Sequence, residues 1–443
     1  MSRPENNPPS TNDRQPTPRT VPFTVAPTRI DFDATKVIKR LVRSGHAAYL
    51  VGGCVRDLLL GRTPKDFDVV TSARPNEVRH LFRNCRVIGR RFRLAHILFG
   101  GQKIIEVATF RKDPSAVQDT PESPEDWDPP TADDLVEDHE MSMALGSAGL
   151  RRARPDDEQD LLIRHDNVFG EPWEDAVRRD FTMNALFYDI ERRELVDFVG
   201  GLDDVERRLI RTIGDADVRF REDPVRILRA IKFAARLDFA IEPNVYDAMV
   251  AHREDLLRAA RPRLLEEVLR LLRGGASRRS FWLAWETGVL SVILPELSSF
   301  LDDDDHDRTR LWRRLAALDA LVARNELPSD AALLVTLLLE PIEEFLRGSK
   351  DSVHATQRLL EELAERLAMP RRMFDRVRQI VAVQRRIHQG RHLPLVRKDF
   401  FPDSAAVWSL DATARGLDEG EIRRTLEGRE APARPQPKPR PQR

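Results

Sequence analysis

An α/β head followed by an all-helical remainder is the fold this sequence predicts, and three observations predict it. Between Ile30 and Arg111 short apolar runs alternate with helical segments. Two β-rich runs, Leu94–Phe99 and Lys103–Thr109, flank Gly100-Gly101, which signals a hairpin. From about Gly200 onward the apolar spacing is helical. At 443 residues the chain has room for two to four domains.

The elements follow in order. Residues 1–29 are rich in Pro, Asn, Thr and Arg, lack apolar periodicity, and are expected to form a disordered leader. The head is expected over 30–199. A helix near Ala34–Ser44 leads to a strand, Ala47–Val51, then Gly52-Gly53 and a short helix through Leu60. After the turn Gly61-Arg62-Thr63-Pro64 comes the strand Phe67–Thr71, and Val78–Phe82 lies on a helix. Residues 113–160 concentrate carboxylates around prolines and read as a mobile acidic insert. The head resumes with Asp175–Asp189 and a strand, Glu194–Phe198. A helical neck is expected over 200–290 and a helical body over 291–418. A disordered Pro/Arg-rich tail is expected over 419–443.

The bulk numbers narrow the function classes. A formal net charge of -1 excludes a global basic field, so nucleic-acid affinity has to come from local patches. Two cysteines, Cys54 and Cys85, make no disulfide framework and fit a reduced compartment. The start of the chain has no signal-peptide core, and the longest apolar run, Ala331–Leu339, is too short to span a bilayer. A soluble, cytoplasmic protein with no membrane partner is expected.

The strongest local signal is Lys65-Asp66-Phe67-Asp68. On a strand, Asp66 and Asp68 project from one face and Phe67 from the other. Carboxylates that close repel unless a cation lies between them or one is protonated. A hard ion such as Mg²⁺ suits them, taking its remaining ligands from water and substrate phosphates. Two such ions activate an attacking hydroxyl and stabilise a leaving pyrophosphate. Upstream, Leu50-Val51-Gly52-Gly53-Cys54-Val55-Arg56-Asp57 runs from a strand through two glycines into a helix. Exposed N–H groups there donate to phosphate oxygens, and Arg56 adds a charge-assisted contact. Glu106, an acid in the apolar strand Ile104–Thr109, is a candidate third metal carboxylate or a residue facing water.

Together with these two blocks, Arg178-Arg179-Asp180-Phe181-Thr182-Met183-Asn184-Ala185-Leu186 and Glu222-Asp223-Pro224-Val225-Arg226-Ile227-Leu228-Arg229-Ala230 resemble the class II nucleotidyltransferases. That family comprises tRNA CCA-adding enzymes and bacterial poly(A) polymerases. Phe82-Arg83-Asn84-Cys85-Arg86 and Gly89–His96 look like the poly(A) polymerase branch. The resemblance implies Mg²⁺ or Mn²⁺ at Asp66 and Asp68, with Asp180 completing the catalytic set. It implies nucleotide contacts from Gly52, Gly53, Arg56, Arg179, Asn184, Glu222, Asp223, Arg226 and Arg229. Lys232 stands where the family usually has Arg, which keeps the charge and loses the bidentate fork.

In the last block, Asp223 then Pro224 reads as a helix N-cap followed by Pro at the first position. Ile227, Leu228, Ile231, Ala234 and Ala235 form an apolar stripe, with Arg226, Arg229 and Phe233 opposite. A carboxylate only accepts and a guanidinium only donates, so Asp223 and Arg226 match the amine-plus-acceptor edge of adenine or cytosine and mismatch guanine and uracil. The pair does not decide A against C. Addition of AMP from ATP to RNA 3′ ends rests on residues 82–96. The alternatives are a tRNA CCA-adding enzyme and a catalytically silent RNA-binding protein. No DNA partner is expected, and the sequence points to no protein partner. Candidate RNA-backbone contacts are Arg90, Arg91 and Arg93; Arg258, Arg261 and Arg263; Arg278 and Arg279; Arg371, Arg372, Arg376 and Arg378; and Arg385 and Arg386.

Overall fold

The computed structural model describes residues 16–89, 93–100, 103–112, 168–303, 308–347 and 352–428. The acidic insert, Arg90 and Arg91, and the chain ends before 16 and after 428 lie outside the described residues. The chain divides into two compact units, one of residues 1–223 and 240–245, the other of 224–239 and 246–443.

The first unit is built on one sheet. Its strands are β1 (Arg19–Pro22), β2 (Ala48–Val51), β3 (Asp68–Thr71), β4 (Cys85–Ile88), β5 (Leu94–Phe99), β6 (Lys103–Thr109), β7 (Leu186–Asp189) and β8 (Glu194–Asp197). Their order is β1-β8-β7-β2-β3-β6-β5-β4. Only the β3–β6 pairing is parallel, so the sheet is mixed. Helix α1 (Phe32–Arg43) starts where the Asp31 carboxylate accepts from the N–H groups of Asp33 and Ala34 at 2.9 and 3.1 Å. It buries Ala34, Val37, Ile38 and Leu41, one face at helical spacing. Helices α2 (Gly53–Leu59) and α3 (Pro75–Leu81) follow β2 and β3, and α4 (Pro172–Arg178) leads back into the sheet. One core gathers Val51, Val70, Phe110, Ala176, Ala185, Phe187 and Ile213. The Phe187 ring meets Tyr49 and Phe198 edge-on at 6.0 and 5.9 Å.

The expected leader is ordered from within. β1 pairs antiparallel with β8, and the Phe23 ring packs edge-on against Tyr188 at 5.7 Å. Backbone pairing to a sheet edge needs no apolar periodicity, which is why composition gave no sign of it.

The compact head unit also runs past residue 199. The Asp197 carboxylate accepts from Val199, Gly200, Gly201 and Leu202 N–H, and so launches α5 (Gly201–Arg207). β9 (Leu209–Ile210) and α6 (Ala216–Glu222) stay in this unit, and Phe181 bridges Thr212. Asp223 is not an N-cap. It closes α6, its N–H on the Arg219 carbonyl, and Pro224 caps the next helix instead.

The second unit begins with α7 (Val225–Leu237). The short strand β10 (Ala240–Ile241) pairs with β9, and it and the first residues of α8 (Pro243–Ala251) belong to the first unit. The second unit continues through α9 (Arg261–Arg273), α10 (Ser277–Glu286), α11 (Val289–Ile293), α12 (Pro295–Asp302) and α13 (Arg308–Ala323). It ends with α14 (Asp330–Arg347), α15 (Ser352–Arg366), α16 (Arg371–His388), α17 (Phe401–Ala414) and α18 (Glu419–Leu426).

The run Ala331–Leu339 is buried throughout. Beside it the fully buried Arg314 guanidinium binds Glu340 and Asp411, the latter at 3.0 Å, and donates to the Thr336 carbonyl at 2.6 Å. A partner for each of its three nitrogens is what makes a charge tolerable there. Helix α18 contradicts the expected disorder from 419. Asp418 and Glu421 form a capping box, and Leu417, Ile422 and Leu426 pack on the cluster of Val383, Ile387, Phe401 and Trp408. Among the described residues no helix is long and apolar enough to cross a membrane.

Candidate active site

β2 ends at Val51, and the chain turns through Gly52, whose φ of 76° and ψ of -133° suit glycine. A Cβ on Gly52 would lie 3.4 Å from Arg179 Nη1, so the absent side chain also makes room for that guanidinium. Gly53 opens α2, with Arg56 Nη2 3.5 Å from where its own Cβ would be.

Arg56 is not a surface cation. It is 2% exposed, its Nε and Nη2 donate to Asp57 Oδ1 at 3.0 and 2.7 Å, and its Nη1 donates to Asn184 Oδ1 at 2.6 Å. Asn184 Nδ2 in turn donates to Asp180 Oδ1 at 3.3 Å, which also accepts the Phe181 N–H at 2.8 Å. Burial of this set therefore fixes the rotamer of Asn184 and the carboxylate of Asp180.

Asp68 begins β3, opposite Val51, and Val51 is opposite Phe187. The parallel register of Val69 with Val107 puts Glu106 beside Asp68 on the same face, and Glu106 faces His96 on β5. His96 Nε2 and Glu106 Oε1 are 3.6 Å apart. Glu106 is thus on an interior strand, with its side chain on an open sheet face. Asp66 precedes the strand, so the alternation argument applies to Asp68 alone.

The electrostatics nonetheless join the acids. Asp68 keeps solvent access, yet the protein packed around it desolvates its carboxyl. Glu106 raises its pKa further, Arg179 opposes and Asp66 adds, leaving it pushed up to about 6. Negative charge gathered at an accessible point is the complement of a hard divalent cation. Among the described residues no three His, Cys, Asp or Glu side chains form a metal cage of their own. The donor set fits an ion that completes its shell from substrate phosphates and water. Cys54, close to Asp68, is pushed up to about 12 by burial and is no nucleophile.

Two residues that sequence reasoning passed over hold Arg179. Asp175 Oδ2 accepts from its Nε and Nη2 at 3.0 and 2.8 Å, and Asp175 Oδ1 accepts from Arg178 Nε at 3.1 Å. Burial alone would raise the Asp175 pKa, but Arg179 and Arg178 outweigh it and hold it below the usual value. Arg219 donates to the carbonyls of both arginines at 2.7 and 2.5 Å, and to Glu222 at 2.9 Å. An acid four residues before an arginine on one helix was the available signal for Asp175.

In the second unit Arg226 is 7% and Phe233 9% exposed, while Arg229 on the same face is half-buried. Arg229 and Lys232 lie 5.8 and 5.1 Å from the Phe233 ring centre. Lys232 Nζ donates to Glu267 on α9 at 2.9 Å. Burial lowers its pKa, Glu267 opposes, and Arg229 and Arg270 lower it further.

Comparison with known proteins places this geometry. A family model described as the poly A polymerase head domain matches residues 48–211. A second, described as a probable RNA and SrmB-binding site of polymerase A, matches residues 238–301. Poly(A) polymerase I of Salmonella typhimurium is 37% identical over 370 residues, 81% of this chain and 72% of its own length. The chain belongs to the class II nucleotidyltransferases.

A CCA-adding enzyme of Geobacillus thermodenitrificans from the same family is 36% identical over 265 residues, 60% of this chain and 55% of its own. The crystal structure of the Bacillus stearothermophilus CCA-adding enzyme in complex with CTP superposes with a TM-score of 0.59. It is 25% identical and covers 89% of this chain and 81% of its own.

Proposed function

We propose that this chain is a polynucleotide adenylyltransferase that transfers AMP from ATP to an RNA 3′-hydroxyl in the cytoplasm and releases pyrophosphate. The observation that carries the reading is the 37% identity to poly(A) polymerase I, which covers 81% of this chain. The 3′-oxygen attacks the α-phosphorus, the bond to the β-phosphate oxygen breaks, and pyrophosphate leaves. Asp66 and Asp68, with Glu106 beside Asp68 as a third carboxylate, would hold Mg²⁺ or Mn²⁺, which would supply Lewis-acid activation of the hydroxyl and charge neutralisation for the leaving group.

The chain's own residues do the rest. Asp180 completes the catalytic set, Gly52 and Gly53 let backbone N–H groups approach the phosphates, and Arg179 faces the developing charge. Arg56 acts chiefly by fixing Asn184, which we assign to the incoming sugar. Glu222, through Arg219, braces the Arg178–Arg179 backbone. We assign base choice to Asp223, accepting from an exocyclic amine, and Arg226, donating to the adjacent ring nitrogen, with Arg229 and Lys232 supporting. A mismatched group costs about 1–3 kcal/mol, enough to reject guanine and uracil.

The likeness to CCA-adding enzymes favours a second reading in which CTP is also used. A tRNA ending in CC and an unstructured RNA, each given ATP, separate the two. Long extension of both supports polyadenylation. One added nucleotide on the tRNA and none on the other RNA supports CCA addition.

A further inference from the structure

The sequence offers five arginine clusters as RNA contacts, and the structure sorts them. Most are engaged. Arg258 pairs with Asp255 at 3.4 Å, and Arg261 donates to the Glu365 carbonyl at 3.1 Å. Arg279 pairs with Asp238, and Arg376 with Asp399 at 2.8 Å. Apart from Arg376, helix α16 is different. It carries six arginines against one acid, Asp375. Val377, Ile380, Val383, Gln384 and Ile387 bury its inner face. Arg371, Arg372, Arg378, Arg385 and Arg386 are all exposed. Arg378 has an exposed contact of 3.6 Å with Asp375, of a kind worth little. Arg371, Arg372, Arg385 and Arg386 make no ion pair among the described residues.

At 100° per residue, Arg371, Arg378, Ala382, Arg385 and Gln389 fall within about 60° of one another, with Arg386 beside them. From Arg371 to Arg385 the helix rises about 21 Å, the length of about six stacked nucleotides. We propose that this outer face of α16 is a track for the phosphate backbone of single-stranded RNA, holding the primer upstream of its 3′ end. Of Phe, Tyr and Trp, α16 carries only Phe374, which is half-buried; Asp375 lies on the same face between Arg371 and Arg378, its charge offset by Arg378, and Ala382 and Gln389 carry no charge. The track therefore binds charge and does not read sequence. It rests on the reading above that RNA is the substrate, and it names which surface takes the RNA.

The test replaces four residues together, R371Q, R378Q, R385Q and R386Q, with a matching set of four Lys substitutions as control. RNA affinity is measured by fluorescence anisotropy on the full chain with A-rich and C-rich single strands at several salt concentrations. The Gln variant is expected to lose at least tenfold in affinity at low salt, equally for both sequences. The slope of log affinity against log salt should flatten by about 2 to 3, the value for four phosphate contacts on a single strand. The Lys set should restore most of both. The KM for primer should rise while kcat and the KM for ATP stay unchanged. Parental affinity and slope in the Gln variant would overturn the track, and so would a loss confined to one sequence. If the parent bound RNA with this slope but incorporated no AMP, the adenylyltransferase reading would fail and the track would stand.

Discussion

At the residue scale the account turns on carboxylates that do different work. Asp66→Ala and Asp68→Ala should each abolish nucleotide addition, because charge stabilisation worth several kcal/mol is lost. Circular dichroism should show the fold intact, since neither side chain belongs to the core. Near-normal turnover in either would remove the metal assignment. Asp175 is buried and structural. Asp175→Asn leaves Arg178 and Arg179 without their partner, and should cost about 3 kcal/mol in chemical denaturation as well as activity. The sign of its pH dependence follows from its depressed folded pKa. Its contribution is present above the unfolded pKa, about 4, and is lost as pH falls through the lower folded value. The variant should therefore lose less stability than the parent between pH 5 and 3 or so. The acidic pair at 66 and 68 was legible because it stands in a recognisable pattern. Asp175 was hidden, because a buried acid reads as an ordinary helix residue until its partners are known.

Elements were legible where periodicity is strong and illegible where order comes from pairing at a distance. Helix α1 and strands β2, β5 and β6 lie within a few residues of their expected bounds. Strand β1 was missed because its burial pattern carries no alternation and its partner β8 lies far along the chain. Helix α18 was hidden by the polar residues around its three apolar contacts. The boundary between the two units was misplaced because α5, β9 and α6 are helical or short, yet bonded to the head. One junction there is tight enough to test. A Cβ on Gly201 would lie 2.2 Å from the Thr182 carbonyl oxygen, next to the block that holds Asn184. Neither group is a flexible tip. Gly201→Ala should cost about 2–3 kcal/mol of stability, through strain comparable to overpacking, and should lower kcat. A variant with parental melting temperature and turnover would show that the junction gives way freely.

At the scale of the whole molecule, a net charge of -1 conceals a division of labour. Acids concentrate at one end of the sheet face, around Asp68, while exposed guanidinium groups line α16. On the proposed reading, substrate phosphates and primer phosphates would meet opposite kinds of surface, one needing a cation and one supplying it. The architecture and family were legible from four ordered blocks, whereas adenine against cytosine was not, because the proposed pair Asp223 and Arg226 would match the same edge of both bases. The measurement that tests the account most directly supplies one nucleotide at a time to an unstructured RNA primer, with products resolved by length. The account predicts a long ladder with ATP, little or nothing with CTP, and none with GTP or UTP. Efficient incorporation from CTP, or no extension from ATP with either Mg²⁺ or Mn²⁺, would contradict it.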